Sequence, residues 1–278
     1  MAQITAADVK ALREKTGLPM MECKKALSAA DGNVDKAVEE LRKAGQKTAE
    51  KQAGRKTSAG RVTVYTDPSV PVGAIVEIKC ETAPVANNEE FVALAADLVQ
   101  QLATGPGATS PEELLAQPSP SKSPSTLKEQ WDELYNRIRE NFQFERIERI
   151  DATCGGYAHH NGAVGVLLEY EGGDAALAKD ICMHIAAMKP KVLQPEDLDP
   201  AEVEKEREIL SDAARQEGKP ENIIEKMVEG RLRNFYAERC LAEQPFVKAE
   251  DGKTTVGKTA QQAGMKIVRF VHWELGKE

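Results

Sequence analysis

The first candidates for covalent or metal chemistry in this 278-residue chain are five cysteines (Cys23, Cys80, Cys154, Cys182, Cys240) and three of the four histidines, His159, His160 and His184. A hydrolase built on His159 or His184 with a cysteine would need a nucleophile motif, and none surrounds these residues. The cysteines lie far apart with no C-x-x-C pair, so neither a disulfide framework nor a zinc ribbon is indicated, and they read as small buried hydrophobes. His159 and His160 could offer imidazoles to a metal, but the spacing supplies no further ligands. The sequence therefore predicts no catalytic residue, no metal site and no cofactor. His159, in a predicted turn, reads either as a hydrogen-bonding contact or as a solvated side chain.

Composition points the same way. With 41% hydrophobic and 29% charged residues the chain reads as a globular protein with two or three small cores. A formal net charge of −8 argues against broad nucleic-acid binding and suits a basic protein partner. Residues 1–10 lack a signal pattern, and no apolar run approaches the roughly 20 residues of a membrane helix. A cytoplasmic location without membrane contact is expected.

The elements that must position any contact residues are legible in the periodicity. Residues 5–44 predict three short helices: Thr5 with Asp8 as a cap, Val9 and Leu12 as a first face, and Thr16-Gly17 as a stop. Pro19 suits the first turn of a second helix, whose Cys23, Ala26, Leu27 and Ala30 share a face. Asp31-Gly32 ends it. Asn33 caps a third helix carrying Val34, Ala37, Val38 and Leu41. Setting Cys23 inward turns Met21 about 160° away at roughly 100° per residue, toward solvent. From Arg42 to Arg61 seven basic residues face the single acid Glu50. Without interleaved aromatics this stretch reads as a solvated, partly helical connector.

An internal repeat follows. Arg61–Tyr65 alternates as a strand, Asp67–Pro71 turns, Gly73–Ile78 reads as a buried strand, and Phe91, Leu94, Ala95, Leu98 and Leu102 mark a helix. The second copy is expected to run from Ile147–Ile150 through a turn at His159–Gly162 into Gly165–Tyr170. A helix with Leu177, Ile181, Ile185 and Met188 completes it. From Glu77 to Phe91 there are 14 steps, against 8 from Glu169 to Leu177. The excess falls on Cys80–Asn88. Extra loop on a duplicated scaffold is a candidate working part, because the scaffold fixes its ends. Within it Pro84 reads as helix-start chemistry with Thr82 as cap.

Thr104–Thr126, rich in Pro, Ser and Gly, is expected to be a flexible connection before a helix over 127–141. Helices over 200–217 and from Ile223 to Tyr236, separated by Gly218-Lys219-Pro220, predict an antiparallel hairpin. It either contacts other chains, its own kind included, or packs on its own core. Strands near 254–256 and 266–273 should close the second sheet. The fold class is thus α+β.

Taken together the chain resembles the bacterial elongation factor Ts family. The resemblance rests on Leu12-Arg-Glu-Lys-Thr-Gly17, Met20-Met-Glu-Cys-Lys-Lys-Ala-Leu27, Asp31-Gly-Asn33 and Leu41-Arg-Lys-Ala-Gly45. It continues in Met183-His-Ile-Ala-Ala187 with Lys189-Pro190, Gly218-Lys-Pro220, Lys226-Met-Val-Glu-Gly-Arg231 and Gln244-Pro-Phe-Val247. It implies an N-terminal three-helix ubiquitin-associated-like module (1–45), a basic linker (46–60) and a duplicated α+β core with antiparallel sheets (61–140; 141–190 with 242–278). A helical hairpin (191–241) is inserted.

The resemblance also implies a function: binding the GTPase elongation factor Tu, GDP-bound and nucleotide-free, and promoting release of GDP and magnesium. Positions matching Arg13, Met20, Met21 and Lys24 would dock on the GTPase. Where the family has Thr-Asp-Phe-Val, with a Phe that wedges into the GTPase, this chain has Thr82-Ala83-Pro84-Val85. Tyr157-Ala-His159 resembles a family segment whose His faces the GTPase, and Val247 matches another contact. The family's Ile-Gly contact pair is Ile138-Arg139 here, and the C-terminal helix of some members has no counterpart before Glu278. The altered tip leaves a second expectation open: a docking or chaperone protein of the same fold with weak or no exchange activity.

Overall fold

The computed structural model describes residues 4–218 and 220–277, so Lys219 of the Gly218–Pro220 segment lies outside the described residues. Helix α1 (Ala6–Thr16) starts on a reciprocal cap, the Asp8 N–H donating to the Thr5 hydroxyl and the Thr5 N–H to the Asp8 carboxylate. Gly17, at φ 69°, closes it. Helix α2 (Met20–Ala29) begins just after Pro19, which occupies the N-cap rather than the first turn. Asn33 caps α3 (Val34–Gln52) through the Lys36 N–H. The three helices enclose Val9, Leu12, Leu18, Cys23, Ala26, Leu27, Ala37 and Leu41. Val34, expected on that face, is exposed, because it sits at the first helical position, one turn ahead of Ala37.

Strands β1 (Ala59–Asp67), β2 (Val70–Cys80) and β3 (Gln143–Ile150) form one antiparallel sheet in the order β1-β2-β3. Between β2 and β3 come α4 (Ala83–Ala86), α5 (Glu89–Thr104), α6 (Pro111–Leu115) and α7 (Leu127–Ile138). Alternate residues of β2 (Val72, Ala74, Val76, Ile78) pack against Phe91, Leu94 and Leu98 of α5 and Trp131 and Leu134 of α7. Strand β4 (Cys154–Ala158) pairs with β5 (Val164–Glu171), which pairs with β6 (Lys266–Glu274). Helix α8 (Ala175–Met188) covers that second sheet through Ala178, Ile181, Cys182 and Ile185.

The free faces of the two sheets meet back to back around Val62, Ile75, Ile150, Leu167 and Trp273. Each sheet therefore starts as a hairpin with its helix on the outer face, a repeat whose second copy opens at Cys154. The contact is close because glycines line it: a Cβ on Gly165 would lie 2.4 Å from Val62 Cγ1, and one on Gly156 2.8 Å from Val64 Cγ1.

Three expectations need correction. Ile147–Ile150 does not open the second copy; it is the end of β3, paired to β2 with Val76 opposite Ile147. The true first strand of that copy begins Cys154-Gly155-Gly156, a stretch poor in β-formers that alternation passes over. Residues 104–126 are not a loose connection. Leu114 of α6 is fully buried, and Ser119 and Gln130 link to the buried Asp97. The polar residues there act as caps, Ser110 on α6 and Thr126 on α7. Likewise Thr255 caps α11 (Val256–Gln262) instead of opening a strand.

Helices α9 (Pro200–Gln216) and α10 (Glu221–Arg239) run antiparallel, with Arg239 beside Glu202 at one end and Arg215 beside Glu221 at the other. Ala214, Ile224, Val228, Leu232 and Phe235 pack between them. Among the described residues no helix is long and apolar enough to cross a membrane.

Candidate functional site

The extra length between β2 and α5 is built as a short helical turn. Thr82, Ala83 and Pro84 are exposed at its tip, whereas Val85 is half-buried against the first core. Pro84 sits in the first turn of α4, where its missing N–H costs no helix bond. The expected cap is not made: the Thr82 hydroxyl donates to Glu140 Oε1 at 2.7 Å and its N–H to Glu140 Oε2 at 3.0 Å. Glu140 lies just past the end of α7 and accepts both the hydroxyl proton and the backbone N–H of Thr82. Asn88 then caps α5, its Oδ1 accepting the Glu90 N–H at 2.9 Å.

The same end of α7 touches the N-terminal helices. Arg139 ion-pairs with Glu22 of α2. Its backbone has φ 63°, a left-handed cap conformation that favours glycine. Beside Glu22, Met20 is 44% and Met21 62% exposed while Cys23 is fully buried, the opposition that helical spacing predicts. Arg13 and Lys24 are exposed on α1 and α2.

His159 closes β4. Its Nδ1 shares a 2.7 Å hydrogen bond with the Tyr157 hydroxyl, and its ring lies 4.3 Å from that of His160. The turn is tied by the Gly162 N–H to His159 O at 2.8 Å and the His159 N–H to Val164 O at 2.9 Å. Arg61 of β1 joins this turn to the tip loop. Its Nη2 donates to His160 O at 3.2 Å, and its Nη1 to Ala86 O at 3.2 Å and Asn87 Oδ1 at 3.4 Å.

Thus Met20–Glu22, Arg139, Glu140, the Thr82–Val85 tip, Arg61 and the His159 turn form one connected chain of contacts. Arg61 and Glu140 were not singled out from the sequence; Arg61 reads there as one more basic linker residue, and neither lies at a motif spacing.

Val247 is exposed at 54% and stands apart from that chain of contacts. Its N–H donates to Nδ1 of the buried His184 at 3.3 Å, and His184 Nε2 donates to Gln244 Oε1 at 2.9 Å. Burial lowers the His184 pKa, opposed by the Gln244 hydrogen bond, and burial also lowers that of His272. The folded protein therefore binds these protons less readily than the unfolded chain. Their neutral forms contribute stability fully above the unfolded value near 6.5, and that contribution is lost as pH falls toward the folded pKa. Thermal unfolding should show a midpoint that drops from pH 7 to pH 5, and His184→Asn should flatten the drop while lowering the midpoint at pH 7. An unchanged slope would contradict this assignment.

All five cysteines are free and buried. Burial pushes the Cys80 and Cys154 thiols up to about 12 and the Cys240 thiol up to about 11, and it raises Cys182 as well. Such thiols are poor nucleophiles near neutral pH. Among the described residues no three His, Cys, Asp or Glu side chains gather as a metal site. The surface here carries apolar methionines, an exposed loop tip and an imidazole hydrogen-bonded to a tyrosine.

A family model described as "Elongation factor TS" matches residues 81–277. The chain is also similar to proteins named elongation factor Ts. It is 42% identical over 277 residues to that of Thioalkalivibrio sulfidiphilus, covering 99% of this chain and 92% of the relative. It is 44% identical over 276 residues to that of Methylococcus capsulatus, again covering 99% and 92%. With the protein of Marinobacter nauticus it shares 41% identity over 278 residues, covering 100% of this chain and 92% of the relative.

Proposed function

The chain belongs to the elongation factor Ts family of translation elongation factors, and from that premise we propose that it binds elongation factor Tu and promotes release of GDP and magnesium. It does so in the cytoplasm, without breaking a covalent bond and without a cofactor. The observation that supports this most is that Arg61 joins the loop carrying Ala83 and Pro84, at Ala86 O, to the His159 turn, at His160 O. These are two elements that the family resemblance puts against the GTPase. The ubiquitin-associated-like module, with Arg13, Met20, Met21 and Lys24, supplies docking, and an exposed, flexible Met suits an adaptable apolar patch.

Release follows from differential binding. Magnesium demands near-ideal octahedral geometry, so a partner that displaces its surroundings slightly weakens it and GDP together. Coupling is reciprocal: whatever the factor does to GDP affinity, GDP does to factor affinity. A coupling of about 3 kcal/mol corresponds to roughly 150-fold. Titration of the nucleotide-free and GDP-bound GTPase with this protein should therefore show the nucleotide-free form bound about two orders of magnitude more tightly. Equal affinities would sink the exchange reading, because a ligand without differential affinity shifts nothing.

The tip itself favours a second reading, a docking or chaperone protein with weak or no exchange. Ala83 carries no carboxylate and Pro84 no aromatic ring, so the wedge of the related family is absent at an exposed position. Because the tip is exposed and Pro84 lies in a first helical turn, restoring the family residues should not disturb the core. Ala83→Asp with Pro84→Phe is expected to raise the maximal GDP release rate severalfold, measured with a fluorescent nucleotide. No gain would mean that the remaining contacts carry the full effect.

A further inference from the structure

Arg61 holds two loops that nothing in the sequence connects. One arm of its guanidinium reaches the last turn of α4, at Ala86 O and Asn87 Oδ1, and the other reaches His160 O. Asn87 passes the bracing on, since its Nδ2 donates to Ala83 O at 2.9 Å, at the loop tip. All three acceptors of Arg61 are neutral oxygens, so the side chain is placed by geometry rather than by a carboxylate. The turn makes room for it. Gly162 is buried at φ +73°, and a Cβ there would lie 3.0–3.1 Å from Arg61 Cγ, Cβ and Cζ. The next residue of the strand, Val62, anchors the turn by donating its N–H to Gly162 O at 2.8 Å.

We propose that Arg61 is a positioning residue that fixes the spacing between the Thr82–Val85 tip and the His159 turn, presenting them to the GTPase as one preformed surface. The proposal rests on the exchange-factor reading given above. A planar fork with five donors can span two loops, whereas the single ammonium of lysine satisfies one side at a time. Docking affinity comes from the methionine patch on α2. Loss of the strut therefore acts on the rate of release more than on the concentration needed to reach it.

The test compares wild type, Arg61→Ala and Arg61→Lys in release of a fluorescent GDP from elongation factor Tu, with hydrogen exchange of the free proteins alongside. Arg61→Ala should lower the maximal release rate about tenfold, as expected for about 1.4 kcal/mol of transition-state stabilisation, with little change in the half-saturating concentration. Arg61→Lys should not restore it. Both variants should exchange the amides of 86–88 and 160–163 faster than wild type. Full rescue by lysine would make charge alone responsible and overturn the positioning role. So would a loss confined to the half-saturating concentration, or amides as protected as in wild type. If wild type itself fails to accelerate release, the exchange reading falls, and the hydrogen-exchange comparison alone decides whether Arg61 braces the two loops.

Discussion

Met21→Glu is expected to weaken binding to elongation factor Tu by about thirtyfold or more, the consequence of losing an apolar anchor worth roughly 2 kcal/mol. Placing a carboxylate in an interface that excludes water adds a desolvation cost to the lost contact. The fold should not notice. Met21 is 62% exposed on α2, opposite the fully buried Cys23, and the module's core is made by other residues. Surface substitutions of this kind stay within about 0.5 kcal/mol of wild-type stability. Calorimetric titration with the nucleotide-free GTPase, beside a thermal melt, separates the two effects. Ile209→Glu serves as the control, since Ile209 is a similarly exposed hydrophobe on α9. Equal losses from both variants would show that the effect is general and that α2 is not the docking face.

Gly165→Val should instead destabilise the scaffold. A Cβ on Gly165 would sit 2.4 Å from Val62 Cγ1 and 3.1 Å from Ile75 Cδ1, inside the seam where the two sheets meet. Neither neighbour can withdraw, because Val62 and Ile75 lie on paired strands that are themselves buried. Overpacking of this kind costs about 1–3 kcal/mol for an added methylene, and here three carbons enter a contact already too short for one. A loss of about 3 kcal/mol or more is expected, lowering the melting midpoint by roughly 10 °C. Because the seam sets how the tip loop and the His159 turn lie side by side, any folded fraction should also show a weakened exchange effect. A variant that melts like wild type would mean that the sheets can slide apart at little cost.

The contrast between these two positions shows what a single sequence reveals. The outward Met21 follows from helical periodicity and one buried neighbour, both local, as do the caps at Thr5 and Asn33 and the hairpin of α9 and α10. The excess loop at 80–88 was legible because the chain contains its own comparison, a second copy without it. What failed was pairing. Ile147–Ile150 is a good strand by composition, and nothing local says that it joins β2 rather than opening the next hairpin. The glycine-rich Cys154–Gly156 hides the strand that does. Register is a property of two segments, fixed by which faces bury together. Glu140 escaped for the same reason. It gains its role only when the end of α7 arrives beside Thr82 and accepts its hydroxyl proton and backbone N–H. Arg61 likewise matters only because the His159 turn folds onto the strand that carries it.

GDP release is the step that this protein is proposed to speed. Stopped-flow release of a fluorescent GDP from elongation factor Tu of the same organism, with increasing amounts of this protein, tests it most directly. Acceleration that rises with concentration and saturates is the predicted result, achieved by the methionine patch, the Ala83–Pro84 tip and His159 without an aromatic wedge. Tight binding with an unchanged release rate would contradict the account and leave a docking protein, and no binding at all would remove the partner as well.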